Sequence, residues 1–299
     1  MTLPRSGADT TRAGGHPALA GTAISLRTLA ATESRRYARH PLFAIGVVLL
    51  AATTAVSVRE LEDLAERGSV GEAAFLPVFF LGLLGVLVGH RLTETIDRAA
   101  DAVDATPTSA TRRTAAVCLA CLVPGAVALV WVACIYAALA VYPVPDSTPI
   151  SRVDRAAMLG AAVTCAVGGP LFGVLAARWT RIPGAGLIAA LVLVAWVLLG
   201  TFALALAPSR WSGLLHLSPP YTQWILRDAS GPVELVGGSP PWHLLYTSLL
   251  CGLAVTAALS RTAGPARRPG LLRVGLLLLV LALTSLGLAA APDPARVLL

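Results

Sequence analysis

The sequence predicts an all-α protein, a polytopic bundle of transmembrane helices. Three observations carry that expectation. Of 299 residues, 56% are hydrophobic and 13% charged, where a soluble domain carries about 25% charged residues. Mean hydropathy is +0.74. The formal charges are gathered between long uncharged stretches instead of being spread along the chain. A helix crossing a hydrocarbon layer of about 30 Å needs roughly 20 largely apolar residues. Stretches free of Asp, Glu and Arg lie at 41–58, 73–89, 114–145, 156–177, 182–209, 235–260 and 274–292. Trimmed of interfacial residues, they predict spans at 41–58, 73–89, 115–141, 156–177, 184–207, 242–260 and 274–292, the second interrupted by Pro77.

The chain begins with residues 1–22, rich in Gly, Pro, Thr and Ala and without the apolar core of a signal peptide, which predicts a disordered tail ahead of a membrane domain over 23–299. Residues 23–40 come next. Leu26, Leu29, Ala30 and Tyr37 fall near one helical face, while Arg27, Glu33, Arg35 and Arg36 occupy much of the rest, and Pro41 ends the pattern. This predicts an amphipathic helix lying on the membrane surface before the first span; a solvated basic lead-in is the plainer alternative. Between the second and third spans, 90–113 is long and polar. Glu94, Asp97, Asp101 and Asp104 recur at spacings of three and four, which puts them on one face of a short helix ending at Thr106-Pro107. Arg91 and Arg98 offset part of that like-charged row, so an ordinary solvated face explains it equally. The segment 208–241 holds Trp211, Tyr221, Trp224 and Trp242 among many Pro and Gly residues, as suits interfacial anchors in a loop with no long helix. Within the spans, Gly85-x-x-x-Gly89 and Gly169-x-x-x-Gly173 allow two helices to approach closely.

All 23 basic residues are arginine. Without lysine there is no Walker A lysine, no Schiff base and no Ser–Lys nucleophile. A net charge of +7 and a pI of 9.7 would suit nucleic acid, but the arginines sit between apolar runs and read as a topology signal. With seven spans, segments 1–40, 90–113, 178–181 and 261–273 carry 16 arginines and the opposite side 7, which predicts a cytoplasmic N-terminus and an external C-terminus. Cys118, Cys121, Cys134, Cys165 and Cys251 all fall in apolar stretches, and Cys118-x-x-Cys121 without a second ligand pair is expected to be two small apolar residues one turn apart. None of the histidines falls mid-membrane: His40 and His90 lie at span ends, His16 in the tail, and His216 and His243 in or at the edge of the 208–241 segment, so no haem or metal site is expected in the bundle. None of the predicted spans contains an acid, which argues against proton coupling. No catalytic residue is identified.

Taken in order, a basic pre-helix ending Arg39-His40-Pro41-Leu42-Phe43, a second span followed by acids, and Ala105-Thr106-Pro107-Thr108-Ser109 followed by Arg112-Arg113 resemble the transmembrane subunit of an ABC-2 type exporter over about residues 24–260. That family carries an acidic stretch and an Ala-Thr-Pro-Val-Ser-Arg-like motif at this place. Thr93-Glu94-Thr95-Ile96-Asp97 departs from its usual Gly-Thr-Leu-Glu-like stretch, and the last span exceeds the usual six. The resemblance implies a six-span core with an N-terminal elbow helix, here with a seventh C-terminal span. It implies a permease without its own nucleotide-binding domain, paired with a second permease subunit as homodimer or heterodimer over two copies of an ABC ATPase. No cofactor would be bound by this chain; ATP and Mg would be used by the ATPase. Glu94, Asp97, Asp101, Asp104, Thr106 and Pro107 would couple to that ATPase, with Arg35, Arg36 and Arg39 supporting the elbow. The uncharged spans suggest a lipophilic or amphiphilic cargo. An integral scaffold or regulatory protein that only binds partners is the alternative, with an intramembrane enzyme third.

Overall fold

A computed structural model describes residues 25–59, 74–98, 108–141, 151–180, 182, 184–206, 209–222, 224, 226–227, 234–236, 238–291 and 295–297, nearly all of them helical. Helix α1, Leu26–Ala38, opens at Ser25, whose hydroxyl oxygen accepts the Thr28 N–H at 3.2 Å. Helix α2, Pro41–Arg59, follows after a bend of 61°. Pro41 has no N–H to give, so it fits the first turn of α2 and cannot continue α1. Helix α3, Phe75–Arg98, contains a π-helical segment at Val78–Leu83 just after Pro77. Helix α4, Ala110–Val141, breaks at Cys121, where Pro124 supplies no N–H to the carbonyl of Ala120. Helix α5, Arg152–Trp179, is capped by Ser151, whose oxygen accepts the Asp154 N–H at 3.0 Å. Then come α6 (Ala185–Leu206), the short α7 (Arg210–Leu217), α8 (Pro240–Thr262) and α9 (Arg268–Ala290). A small antiparallel sheet of order β1-β2-β3 joins Leu226–Arg227, Glu234–Val236 and Ala295–Val297.

Among the described residues six helices are long and apolar enough to cross a membrane: α3, α4, α5, α6, α8 and α9; the bent pair α1–α2 makes a seventh if it is one span. The predicted span centres all fall on helices, but α3, α5 and α9 run several residues longer than the uncharged stretches. Counting from the first charge cuts a span short, whereas a helix propagates through backbone bonds that charge does not break, and long side chains at its ends extend toward water. The consequence is largest at α3. The helix expected inside the 90–113 loop is, as far as Arg98, the continuation of the second span.

Helix α5 occupies the centre and touches α3, α4, α6 and α8. The main core gathers Phe43, Leu50, Leu81, Trp131, Leu159 and Val174 from α2 to α5, with Tyr37 from α1. Outward, α6 presents Leu191, Leu199 and Phe202, and α9 presents Leu276, Leu277 and Leu283, all exposed. Large apolar side chains directed outward suit hydrocarbon, where interhelical contact must come from close packing instead of the hydrophobic effect. The two glycine pairs supply that packing. A Cβ on Gly173 would overlap the Val86 carbonyl oxygen, one on Gly169 the Gly82 carbonyl, and one on Gly89 the Pro170 carbonyl. The Gly85/Gly89 and Gly169/Gly173 motifs are therefore the two sides of one crossing.

Candidate functional site

One end of the bundle is polar and held by contacts between helices. The Arg36 guanidinium donates to the Thr95 hydroxyl at 3.3 Å, tying α1 to α3, and pairs within α1 with Glu33 at 3.0 Å. Arg178 at the end of α5 pairs with Asp97 on α3 at 2.5 Å; its side chain is 10% exposed against 48% for Asp97. Glu94 pairs with Arg98 one turn on, at 2.6 Å. The Trp179 indole N–H donates to the Ala257 carbonyl at 3.2 Å, Arg261 lies over the Trp179 ring, and the Thr111 hydroxyl donates to the Thr262 carbonyl at 2.7 Å, joining α5 and α4 to α8. Between the ends of α3 and α5, reaching Ile182, lies a cleft of about 490 Å³ lined by His90, Glu94, Asp97, Arg98, Ala177, Thr180 and Ile182.

Of the residues singled out for coupling, Glu94 and Asp97 stand on the last turns of α3, both in ion pairs with arginines of this chain. Asp101, Asp104, Thr106 and Pro107 lie outside the described residues. In the elbow, Arg36 faces α3, while Arg35 and Arg39 are exposed. The inward side of α1 differs from the expected apolar face. Leu26 is 39% exposed, and Leu29, Ala30, Glu33, Ser34 and Tyr37 form the more covered side. Tyr37 is the anchor that sequence reasoning undervalued. It is fully buried, packs edge-on against Phe43 at 5.2 Å, and sets its hydroxyl against Gly85. That hydroxyl has no hydrogen-bond partner among the described residues. His40 closes the elbow: its Nδ1 accepts the Leu42 N–H at 3.3 Å. Burial, and then the Arg91 guanidinium, hold its imidazole below the ordinary histidine range, which keeps Nδ1 free to accept.

The opposite end is closed by a segment that dips into the bundle. Helix α7 opens on a capping box between Ser209 and Ser212 and lies against α6, where a Cβ on Gly200 would overlap the Leu215 carbonyl. Beyond it, Ser218 accepts the Trp196 indole N–H at 2.9 Å, and the Pro220 carbonyl accepts the Cys165 thiol at 3.1 Å. Trp196 stands ten residues before the end of α6, about 15 Å into the span at 1.5 Å per residue. The chain at 218–220 thus reaches mid-helix depth. The sequence places His216 and His243 outside the spans or at their edge; the structure buries both. The cause is the returning loop, which lays Trp224 edge-on over His243 at 5.7 Å and lets the Tyr246 hydroxyl donate to the Ser218 carbonyl. Trp211 and Trp242 remain exposed as anchoring aromatics, but Trp224 is core.

Cys118, Cys121 and Cys165 are buried free thiols and Cys134 is exposed. Among the described residues no group of three His, Cys, Asp or Glu side chains is disposed to hold a metal ion. Compared with known protein families, curated proteins and solved structures, the chain matches none. Composition and fold together define its class: a helical membrane protein with multiple candidate spans.

Proposed function

We propose that this chain is the permease subunit of an ABC-type exporter, driven by a separate ATPase and working as a pair with a second permease subunit. One observation carries the reading. The bent elbow helix α1 and the acid-bearing extension of α3 stand side by side at the polar end of the bundle, joined through Arg36 and Thr95. A motor docking there would press on the elbow and on the second span at once, and α3 would pass that motion through its crossing with α5 toward the dipping segment at the other end. Glu94, Asp97, Asp101 and Asp104 would present the acidic face to the ATPase, with Thr106 and Pro107 ending it, and Arg35, Arg36 and Arg39 would seat the elbow. The charge-free faces of α3 and α6 fit a lipophilic or amphiphilic cargo better than a small ion.

The test uses the full chain and an ATPase with Walker A and signature motifs encoded in the neighbouring reading frame. Asp101→Arg combined with Asp104→Arg is expected to abolish co-purification with that ATPase and ATP-dependent efflux. Unchanged complex formation and efflux would sink the coupling claim. An absent neighbouring ATPase would favour a scaffold that only binds partners.

A further inference from the structure

The π segment Val78–Leu83 sits where α3 passes between α2 and α5. A π turn holds one residue more than an α turn, so every residue beyond it lies about 100° and 1.5 Å behind its place in an uninterrupted α-helix. Two neighbouring glycines accommodate the wide turn. The Phe80 carbonyl oxygen faces Gly46 on α2 so closely that a Cβ there would overlap it, and the Gly82 carbonyl does the same at Gly169 on α5. Beyond the turn, Gly85 and Gly89 lie against Pro170, Gly85 also meets the Tyr37 hydroxyl, and Asp97 pairs with Arg178.

We infer that this π turn is a register switch for the polar half of α3. If the turn relaxes to α while the preceding half stays in place, Leu84 and Val88 move to where Gly85 and Gly89 stand. Ile96 takes the place of Asp97. Leucine and valine do not fit a crossing in which even a Cβ overlaps backbone, so α3 must draw away from α5, and the Asp97–Arg178 pair opens with it. Two registers of one helix thereby become a closed and a parted arrangement of the polar end. The closed register has a cost that keeps the other within reach. It covers the Tyr37 hydroxyl and Arg178 Nε, neither with a hydrogen-bond partner among the described residues. The switch does not depend on the chain being a permease, because its readout is the distance between two helices.

The experiment places Asp97→Cys and Arg178→Cys in the full chain with its five native cysteines replaced by alanine, and measures cross-linking of the two positions in membranes by a short bifunctional thiol reagent, whose spacer replaces the length of the arginine side chain. In that parent the cross-link forms. Gly46→Ala crowds only the Phe80 carbonyl of the π turn and is expected to lower the yield by about fivefold or more. Deleting Phe79, which is 42% exposed, removes the extra residue, so α3 becomes regular with its polar half where it now stands. The deletion alone is expected to keep the cross-link, and in the Gly46→Ala chain to restore it. An unchanged yield with Gly46→Ala, or no restoration by the deletion, overturns the switch. If Gly46→Ala alone gives no monodisperse protein, rescue of its folding by the Phe79 deletion is the same test, and failure of that rescue overturns the proposal equally.

Discussion

Tyr37 shows how one side chain fixes the attachment of a surface helix. Helix α1 carries several arginines and little continuous apolar surface, so its docking rests on what its inward face inserts between α2, α3 and α4. Tyr37 contributes a whole ring there, fully buried against Phe43. Its hydroxyl is covered without a hydrogen-bond partner among the described residues, and covering such a group costs about 1–3 kcal/mol. The two parts of the side chain therefore act in opposite directions, and substitution separates them. Tyr37→Phe keeps the ring and removes the unsatisfied oxygen, so thermal unfolding in detergent is expected at the same temperature or higher. Tyr37→Ala removes the ring and is expected to cost about 3–5 kcal/mol, lowering the melting temperature and loosening α1 first in hydrogen exchange. A loss with Tyr37→Phe as large as that with Tyr37→Ala would mean that the hydroxyl is bonded.

At the scale of elements, the α3–α5 crossing brings backbone so close that a Cβ at Gly89, Gly169 or Gly173 would overlap it, and that approach follows from glycines on both helices. Backbone meets backbone there, so Cα–H to carbonyl contacts and dispersion replace the hydrophobic drive that lipid cannot supply. Gly173→Ala inserts a methyl into the Val86 carbonyl and is expected to destabilise by about 1–3 kcal/mol. Gly287→Ala on α9, where nothing lies within 4 Å, is expected to leave the melting temperature unchanged or slightly raised by helix propensity. Equal effects at the two positions would refute the crossing as the source. Both glycine motifs, and the helix at every predicted span, were legible because apolar run length and small-residue spacing are local properties. The face bearing Glu94 and Asp97 was legible for the same reason. Their partners were not equally so: Arg98 is one turn away, but Arg178 is 81 residues from Asp97, and no local pattern encodes that pairing. The π turn left only Pro77 as a trace, since its seats, Gly46 and Gly169, belong to other helices. His216 and His243 stand in and at the edge of the 208–241 segment as expected, but their burial was not legible, because Pro- and Gly-rich composition does not say which way a loop turns.

For the molecule as a whole, the interhelical contacts sort the arginines by end. Arg36, Arg178 and Arg261 take part directly in the contacts of one end, and Thr111, hydrogen-bonded to Thr262, brings the start of α4, with Arg112 and Arg113, to the same end. Arg267 and Arg268 follow at the turn from α8 to α9. Arg152 and Arg155, at the start of α5, and Arg210, at the start of α7, belong to the other end. Arginines retained on the side of synthesis orient helical membrane proteins, and by that rule this asymmetry would put the elbow, the cleft and the end of α3 in the cytoplasm. That placement is also what an ATP-driven partner requires, because ATP is cytoplasmic. The orientation is testable without knowing cargo or partner. In a chain with its five native cysteines replaced by alanine, a single cysteine at Arg35 or Arg267 is expected to resist a membrane-impermeant maleimide in intact cells and to react after permeabilisation. A single cysteine at Asp154 or Ser209 is expected to react in intact cells. The reverse pattern would turn the protein over in the membrane, put the acidic face outside, and remove the exporter reading together with the topology.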